Sequence, residues 1–429
     1  MNKIQNFLIL TVLILTISAC KEEDNPQSTY DGEVRVGILH SRTGSLAISE
    51  NTVAEAELLA IAEINADGGL LIDGKRMRII TIEEDGMSDR LRFANMAAKL
   101  IDIDKVQVIF GGWTSSSRKA MLPIVEAREH LLFYPLQYEG EECSKNILYA
   151  GLTPNQQVLP AIDWLLRKKG DHFFLVGSDY VYPRTVNKII TNQVLQSRGL
   201  IVSERYVPLG DQSLSETVQA IKSALPAGGV VINTINGDSN VAFFQEATAQ
   251  GVTRDNGYTI ISFSVSEEEV EAIGAEYLEG SFATWSFFES IDTPASNKFT
   301  RSFKTMYGVH RVTTDPAESA YSMVHLWAAA AVNAGSTRPD RVRSALIGSK
   351  FDAPHGRVEV AANHHLNKSV FIGEVQANGQ FNIVKEVGIV APIAWSQLLP
   401  ENKGFSCDWS RKSKDAGRFQ AIEPNRVSQ

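Results

Sequence analysis

Six stretches of this sequence gather hydroxyls, amides and phenols directly after short apolar runs, and apart from the neighbours His40-Ser41 none of them sets a nucleophile beside a histidine. They are His40-Ser-Arg-Thr-Gly-Ser45, Gly111-Gly-Trp-Thr-Ser115, Tyr134-Pro-Leu-Gln-Tyr138, Gly177-Ser-Asp-Tyr-Val-Tyr182, Asn236-Gly-Asp-Ser-Asn240 and Ser264-Val-Ser-Glu267. Such groups donate and accept hydrogen bonds, so the chemistry they offer is recognition and not bond-breaking. No Gly-x-Ser-x-Gly elbow, P-loop or His-Glu-x-x-His occurs, and the expectation is a protein that is no enzyme and uses no cofactor. His364-His365 suggests a metal at first, but neighbours on a strand face opposite sides and no further His/Cys cluster supports them. The most suggestive pair is Tyr180 and Tyr182, which a spacing of two on extended backbone sends to one side, into a cleft. The alternative is that both rings pack on a neighbouring helix.

The elements that must hold these stretches alternate between strand and helix, the rhythm of parallel sheets. Strands are expected at 34–39, 77–83, 106–110 and 131–135, then at 172–176, 200–207, 230–235 and 258–263. Helices are expected at 52–67, 88–101, from about 116, and at 154–168, 184–198, 214–224, 239–250 and 317–334. Thr52 and Glu55 read as a capping box, Pro123 as a kink or a first-turn residue, and Asn378-Gly379 as a type I′ turn closing a hairpin over 374–383. In open α/β sheets ligands sit beyond the carboxyl ends of the strands, which is where the six polar stretches fall.

The 429 residues, 44% of them hydrophobic, suffice for two lobes with separate cores. A net charge of −9 with no run of basic residues gives no footing for nucleic acid. At the N-terminus, Lys3, the apolar residues 7–17 and Ile17-Ser-Ala-Cys20 resemble a lipoprotein signal peptide, with Cys20 as the lipidated first mature residue and 20–33 as a tether. An uncleaved anchor or a plain secretory signal is the alternative, and each reading puts the chain outside the cytoplasm. Beyond Cys20 only Cys143 and Cys407 remain, and their spacing leaves open whether they pair.

Five segments, read in order, carry a resemblance: Gly111-Gly-Trp-Thr-Ser-Ser-Ser-Arg-Lys119, Phe133-Tyr-Pro-Leu-Gln-Tyr-Glu-Gly-Glu-Glu142, Gly177-Ser-Asp-Tyr-Val-Tyr-Pro-Arg184, Asn233-Thr-Ile-Asn-Gly-Asp-Ser-Asn240 and Asn363-His-His-Leu366. From about Val34 to Trp395 the sequence is similar to the urea-binding components of urea ABC transporters and, in less detail, to the short-chain amide sensor of the amidase operon. The resemblance implies an α/β type I periplasmic binding protein: two Rossmann-like, doubly wound lobes joined by three crossings. It implies a first lobe of 34–150 plus about 285–345, a second of 151–284 plus about 346–395, and an unplaced C-terminal extension at 396–429.

The same resemblance implies a ligand pocket of Trp113, Ser115, Tyr134, Gln137, Tyr180, Tyr182, Asp238 and Ser264. Trp113 and Gln137 follow the urea pattern; Gly112 departs from the cysteine often found there, which puts any family disulfide in doubt. The implied ligand is urea or a short-chain amide, and the implied partners are ABC permease subunits, with the membrane reached through the lipid anchor only. Asp238 would accept from the ligand's amide nitrogens, and Ser115 or a backbone N–H near it would donate to the carbonyl. Asp238 reads equally well as the N-cap of the helix after it, and Trp113 as a core residue. A sensor of the same fold for amides or branched-chain amino acids is the alternative function, although an amino acid needs a charged pair and only Asp238 and Arg42 are on offer. An extracytoplasmic amidase is more distant.

Overall fold

The computed structural model describes residues 30–421. The signal peptide, the lipidation site Cys20 and the end of the extension lie outside the described residues.

The first lobe is built from β1 (Gly32–His40), α1 (Ala47–Ala66), β2 (Leu70–Ile72), β3 (Lys75–Asp85), α2 (Arg90–Asp102), β4 (Ile109–Gly111), α3 (Ser115–Ala127), β5 (Leu132–Tyr134) and β6 (Ile147–Tyr149). Its six-stranded sheet runs β2-β3-β1-β4-β5-β6, parallel except for the β2–β3 pair. The second lobe begins with α4 (Pro154–Lys168), β7 (His172–Ser178), α5 (Val181–Gln196), β8 (Leu200–Val207), α6 (Ser215–Ala224), β9 (Gly229–Thr234) and α7 (Ser239–Ala249). It continues through β10 (Tyr258–Ser262), α8 (Glu267–Ile273), α9 (Ala275–Leu278) and β11 (Phe282–Trp285). The chain then returns to the first lobe in α10 (Pro294–Tyr307), α11 (Asp315–Ala334) and α12 (Pro339–Leu346); β12 (Lys350–Ala353) and β13 (Gly356–Val360) send side chains into the first core while β13 pairs the next strand at the edge of the second lobe's sheet. A last crossing leads to the hairpin β14 (Leu366–Val375) and β15 (Phe381–Val390) beside β11, and β16 (Phe405–Ser406) pairs β17 (Phe419–Gln420) in the extension.

Each lobe has its own apolar core. Val36, Ile38, Ile109, Phe110 and Phe133 pack with Trp327 of α11 in one; Phe174, Val231, Phe243 and Trp285 pack in the other. Ala353, Val358, Val360 and Leu366 lie in the first core, whereas Val370, Ile372 and Val375 further along β14 lie in the cores of the second lobe. The middle crossing, 286–293, is held by buried carboxylates: Asp315 Oδ1 accepts from Ser286 N at 2.8 Å and Phe287 N at 2.9 Å, and Glu267 Oε1 from Glu289 N at 2.8 Å.

Four local expectations change. Helix α1 starts at Ala47, five residues before Thr52, so Thr52 is a buried interior residue and no capping box forms; its hydroxyl instead accepts from Arg311 at 2.8 Å. Helix α5 starts at Val181, because Pro183 is tolerated in a first turn where its missing N–H is needed least. Pro123 sits nine positions into α3, outside its first turns. The hairpin turn is not type I′: only Gly379 takes positive φ (80°), and the loop closes through Gly379 N to Gln376 O at 2.9 Å and Gln376 N to Gln380 O at 2.8 Å.

Candidate ligand-binding cleft

The strand ends of the two lobes face each other, and hydrogen bonds join them. Trp113 Nε1 donates to Asn236 Oδ1 at 3.3 Å, Gln137 Nε2 to the Phe263 carbonyl at 2.9 Å, and Asp238 N to the Ser45 carbonyl at 3.3 Å. At the rim, Ser49 Oγ of α1 donates to Glu269 Oε1 of α8 at 2.5 Å. Gly237 permits this approach: its φ is +68°, and a Cβ there would lie 2.7 Å from the Ser45 carbonyl oxygen. The lobes are closed on one another.

The first lobe supplies a tied charge network. Ser115 and Ser116 open α3, whose first N–H groups have no partner within the helix. Arg118, one turn on and fully buried, donates to Ser115 Oγ at 2.9 Å, to Glu139 at 3.1 Å and to Glu142 at 2.8 Å. Its guanidinium carbon lies 4.9 Å from the Tyr134 ring centre and 4.5 Å from that of Tyr138. Burial opposes the ionised state of Glu142, but Arg118 and then Lys119 hold its carboxyl down at about 2. Burial likewise opposes the Arg118 charge, and Glu142 and Glu139 more than offset it.

Apart from Asp238, the second lobe supplies neutral groups. Tyr180 caps α5 and Tyr182 lies in its first turn, so the pair is not carried on extended backbone as the spacing suggests; the ring centres are nonetheless 6.3 Å apart. Tyr182 is buried and its hydroxyl donates to the Phe263 carbonyl at 3.4 Å, the same oxygen that Gln137 reaches. Half-buried Tyr180 is close enough to Tyr182, Tyr134 and Glu139 for their fields to act on it. Burial pushes the phenols of Tyr134, Tyr180 and Tyr182 up, so each stays protonated, donor and acceptor both.

Trp113, Tyr134, Gln137, Tyr180 and Tyr182 thus come together. Gln137 Oε1 has no hydrogen bond of ordinary geometry, and neither has Asp238 Oδ1. Asp238 is the residue before α7, as the capping alternative has it, yet its side chain makes no cap hydrogen bond; burial pushes its carboxyl up. Two expectations shift. The Ser115 hydroxyl is committed to Glu139 and Arg118, which leaves the donor role to backbone N–H groups. The Ser264 hydroxyl is committed to the Ile235 carbonyl of its own lobe.

Sequence reasoning passed over Arg118, Glu139 and Asn236. Only Ser115 and Arg118, three apart at a helix start, share a local spacing; Glu139 lies in a loop and reaches Arg118 from far along the chain. A second buried cluster was missed as well: His40 Nδ1 lies 3.2 Å from Glu50 and Nε2 2.9 Å from Glu57, behind the loop that presents Ser45. Burial opposes charge on this imidazole, but Glu57 foremost and Glu50 with it raise its pKa to about 9. Cys143 and Cys407, left open above, are joined in a disulfide.

A two-lobed α/β molecule with three crossings and a closed, aromatic-walled cleft at its strand ends is a binder of small solutes with the type I periplasmic binding protein fold. The chain matches the periplasmic binding protein domain over residues 34–401 and belongs to that family. Among curated proteins it is similar to Leu/Ile/Val-binding protein homolog 8 of Brucella abortus, 22% identical over 380 residues (81% of this chain, 89% of that protein). Homolog 7 of the same organism is 23% identical over 338 residues (73% and 78%). A shorter match, 31% identical, joins 26% of this chain to 21% of limonene hydroxylase of Geobacillus stearothermophilus, about a fifth of that protein's length.

Among solved structures, a Rhodopseudomonas palustris ABC transporter solute-binding protein in complex with benzoate superposes with a TM-score of 0.74 at 18% identity (85% of this chain, 99% of that one). A Streptococcus pneumoniae branched-chain amino acid transporter substrate-binding protein in complex with isoleucine gives 0.71 at 19% (84% and 100%). The superpositions show the fold, and the family to which the chain belongs is one of periplasmic, extracytoplasmic binding proteins. No helix among the described residues is long and apolar enough to cross a membrane.

Proposed function

We propose that the cleft captures urea or a short-chain amide and that the closed form delivers it to an ABC permease, the protein being held at the membrane by lipid on Cys20. The observation that carries this reading is a mismatch of charge and hydrogen-bonding capacity. The cleft's buried cation, Arg118, is already taken by Glu139 and Glu142, whereas Gln137 Oε1 and, at half-buried Asp238, Oδ1 have no hydrogen bond of ordinary geometry, the Tyr182 hydroxyl and the Ser239 N–H being their nearest donors. Burying an acceptor with no donor costs about 1–3 kcal/mol, so the site favours a ligand rich in N–H groups. A neutral plate such as urea has four of them and one carbonyl, for which a free backbone N–H at the start of α3 would be the donor.

A carboxylate ligand, the kind named in the structural relatives, would have to displace a glutamate from Arg118. Asp238 lacks the partnering cation that an amino acid's carboxylate also demands. Urea's size limits the outcome: four heavy atoms at about 1.5 kcal/mol each give roughly 6 kcal/mol, a Kd on the order of tens of micromolar. Isothermal titration of the mature chain with urea, acetamide, leucine and benzoate tests the reading. Micromolar heat with urea or acetamide supports it; leucine or benzoate binding with silence from both amides overturns it.

A further inference from the structure

The segment after β15 makes contacts that neither lobe needs for its own core. On the second lobe, Asn155 Nδ2 donates to Ala391 O at 2.8 Å, Asn192 Nδ2 to Leu398 O at 2.9 Å, and Lys188 pairs with Glu401 at 2.8 Å. On the first lobe, Glu141 takes hold of it three times: its N–H donates to Ala394 O at 2.8 Å, and its carboxylate accepts from Ser396 N at 3.0 Å and from Asn402 Nδ2. Gly140, with φ +72°, admits the segment; a Cβ there would meet Ala394 O at 2.8 Å. At the last crossing, Trp409 N donates to Ala362 O at 2.7 Å and Asn363 Nδ2 to Pro392 O at 3.0 Å. Arg418 lies over Trp395 and Phe405, and Trp395 Nε1 donates to Gly417 O at 2.7 Å, so the segment also folds on itself. The Cys143–Cys407 disulfide, spanning 264 residues of sequence, makes the attachment covalent.

Cys143 follows directly on the charge network of the cleft. Glu142, its neighbour, holds Arg118 at 2.8 Å and Lys119 at 3.0 Å, accepts from Tyr149 Oη at 3.0 Å, and its carbonyl accepts from Tyr138 Oη at 2.9 Å. Arg118 in turn holds Ser115. Tyr138, Tyr149 and His365 stack beneath, with centres 5.0 Å and 4.4 Å apart, and His365 Nε2 lies 2.6 Å from Tyr138 Oη. A path of direct contacts therefore runs from Cys407 through Cys143, Glu142 and Arg118 to the start of α3.

We infer that residues 391–421 form a covalent brace that positions the ligand cleft, with Cys143 and Glu142 as its positioning residues on the first lobe. The inference rests on the cleft being the ligand site, but not on the ligand being urea. A bond that fixes Cys143 fixes the loop 139–142, and that loop decides where Arg118 and Ser115 sit. Contacts with both lobes and with the last crossing give the same segment a grip on the angle between the lobes.

Hydrogen–deuterium exchange on the ligand-free mature chain is the test, because it needs no ligand to be known. In Cys143→Ser/Cys407→Ser, amides of 113–118 and 134–142 should exchange at least fivefold faster, while those of β9 hold their rate. Wild-type protein reduced with dithiothreitol should behave alike, and reoxidation should restore it, which covers a double variant that fails to fold. Glu142→Gln, with the disulfide intact, should loosen 113–118 and leave 391–421 protected. Faster exchange confined to 391–421 would make the bond a staple for the tail alone and overturn the brace; uniform acceleration that includes β9 would overturn it too. Silence toward urea in titration would remove the ligand reading and leave this result standing.

Discussion

The two faces of the cleft are built on opposite plans. The first lobe presents Arg118, Glu139, Glu142 and Ser115, whose charges are matched within that lobe before the other arrives. The second presents the neutral groups Tyr180, Tyr182, Asn236 and the Phe263 carbonyl, of which Asn236 and the carbonyl find partners in Trp113 and Gln137 across the gap. One face is thus preorganised, and the other is completed by closing. Closure and binding then draw on the same hydrogen bonds, which is how a four-atom ligand can shift the balance between open and closed forms.

The comparison breaks most sharply at Arg118. Arg118→Met leaves Glu139 and Glu142 with only the partly exposed Lys119 between them, and removing the buried member of such a pair costs about 3–5 kcal/mol of stability. Denaturant unfolding should show a loss of that size, accompanied by lost binding. On the opposite plan, Gln137→Ala removes a donor that matters only when the lobes meet. It should leave the unfolding midpoint within experimental scatter and weaken the ligand about tenfold by titration, the worth of roughly one hydrogen bond. Equal stability losses in the two variants would mean that the faces do not differ as described.

How much of this was legible in the sequence follows from the same contrast. The alternation of strands and helices, the two-lobed architecture and the polar strand ends could be read because periodicity and turn residues are local signals. Arg118 and Glu139 drew no role from the sequence, since nothing local tells that a charge is buried against a partner twenty-odd residues away. The start of α1 was misplaced for a related reason: Thr52 and Glu55 have the letters of a capping box, but Arg311, far along the chain, takes Thr52 at 2.8 Å and Glu55 at 2.6 Å. Tyr180 and Tyr182 were assigned to one side through extended backbone; they meet instead across a strand-to-helix junction that Pro183 makes possible. The Cys143–Cys407 pairing had no local signature at all.

The smallest expected effect sharpens the comparison at the rim, away from the ligand. Glu268 of α8 is buried against α1 in the closed form, and burial, only partly countered by Thr52 and then Arg311, raises its carboxyl to about 7. Glu269 and Glu271 beside it act in the same direction, and Arg311 lies 3.8 Å away. Opening returns Glu268 to water, where a glutamate titrates at about 4.3. The closed form therefore has the higher pKa and takes up a proton, so closure is favoured as pH falls from about 7 toward the open-form value and gains nothing further below it. Ligand affinity should rise up to about tenfold between pH 7.5 and 6, by titration in buffers of matched ionic strength. Glu268→Gln should flatten that profile and leave the unfolding midpoint at neutral pH nearly unchanged. A profile that stays steep in the variant would move the proton uptake to Glu269, which is buried on the same helix and bound to Ser49 at 2.5 Å.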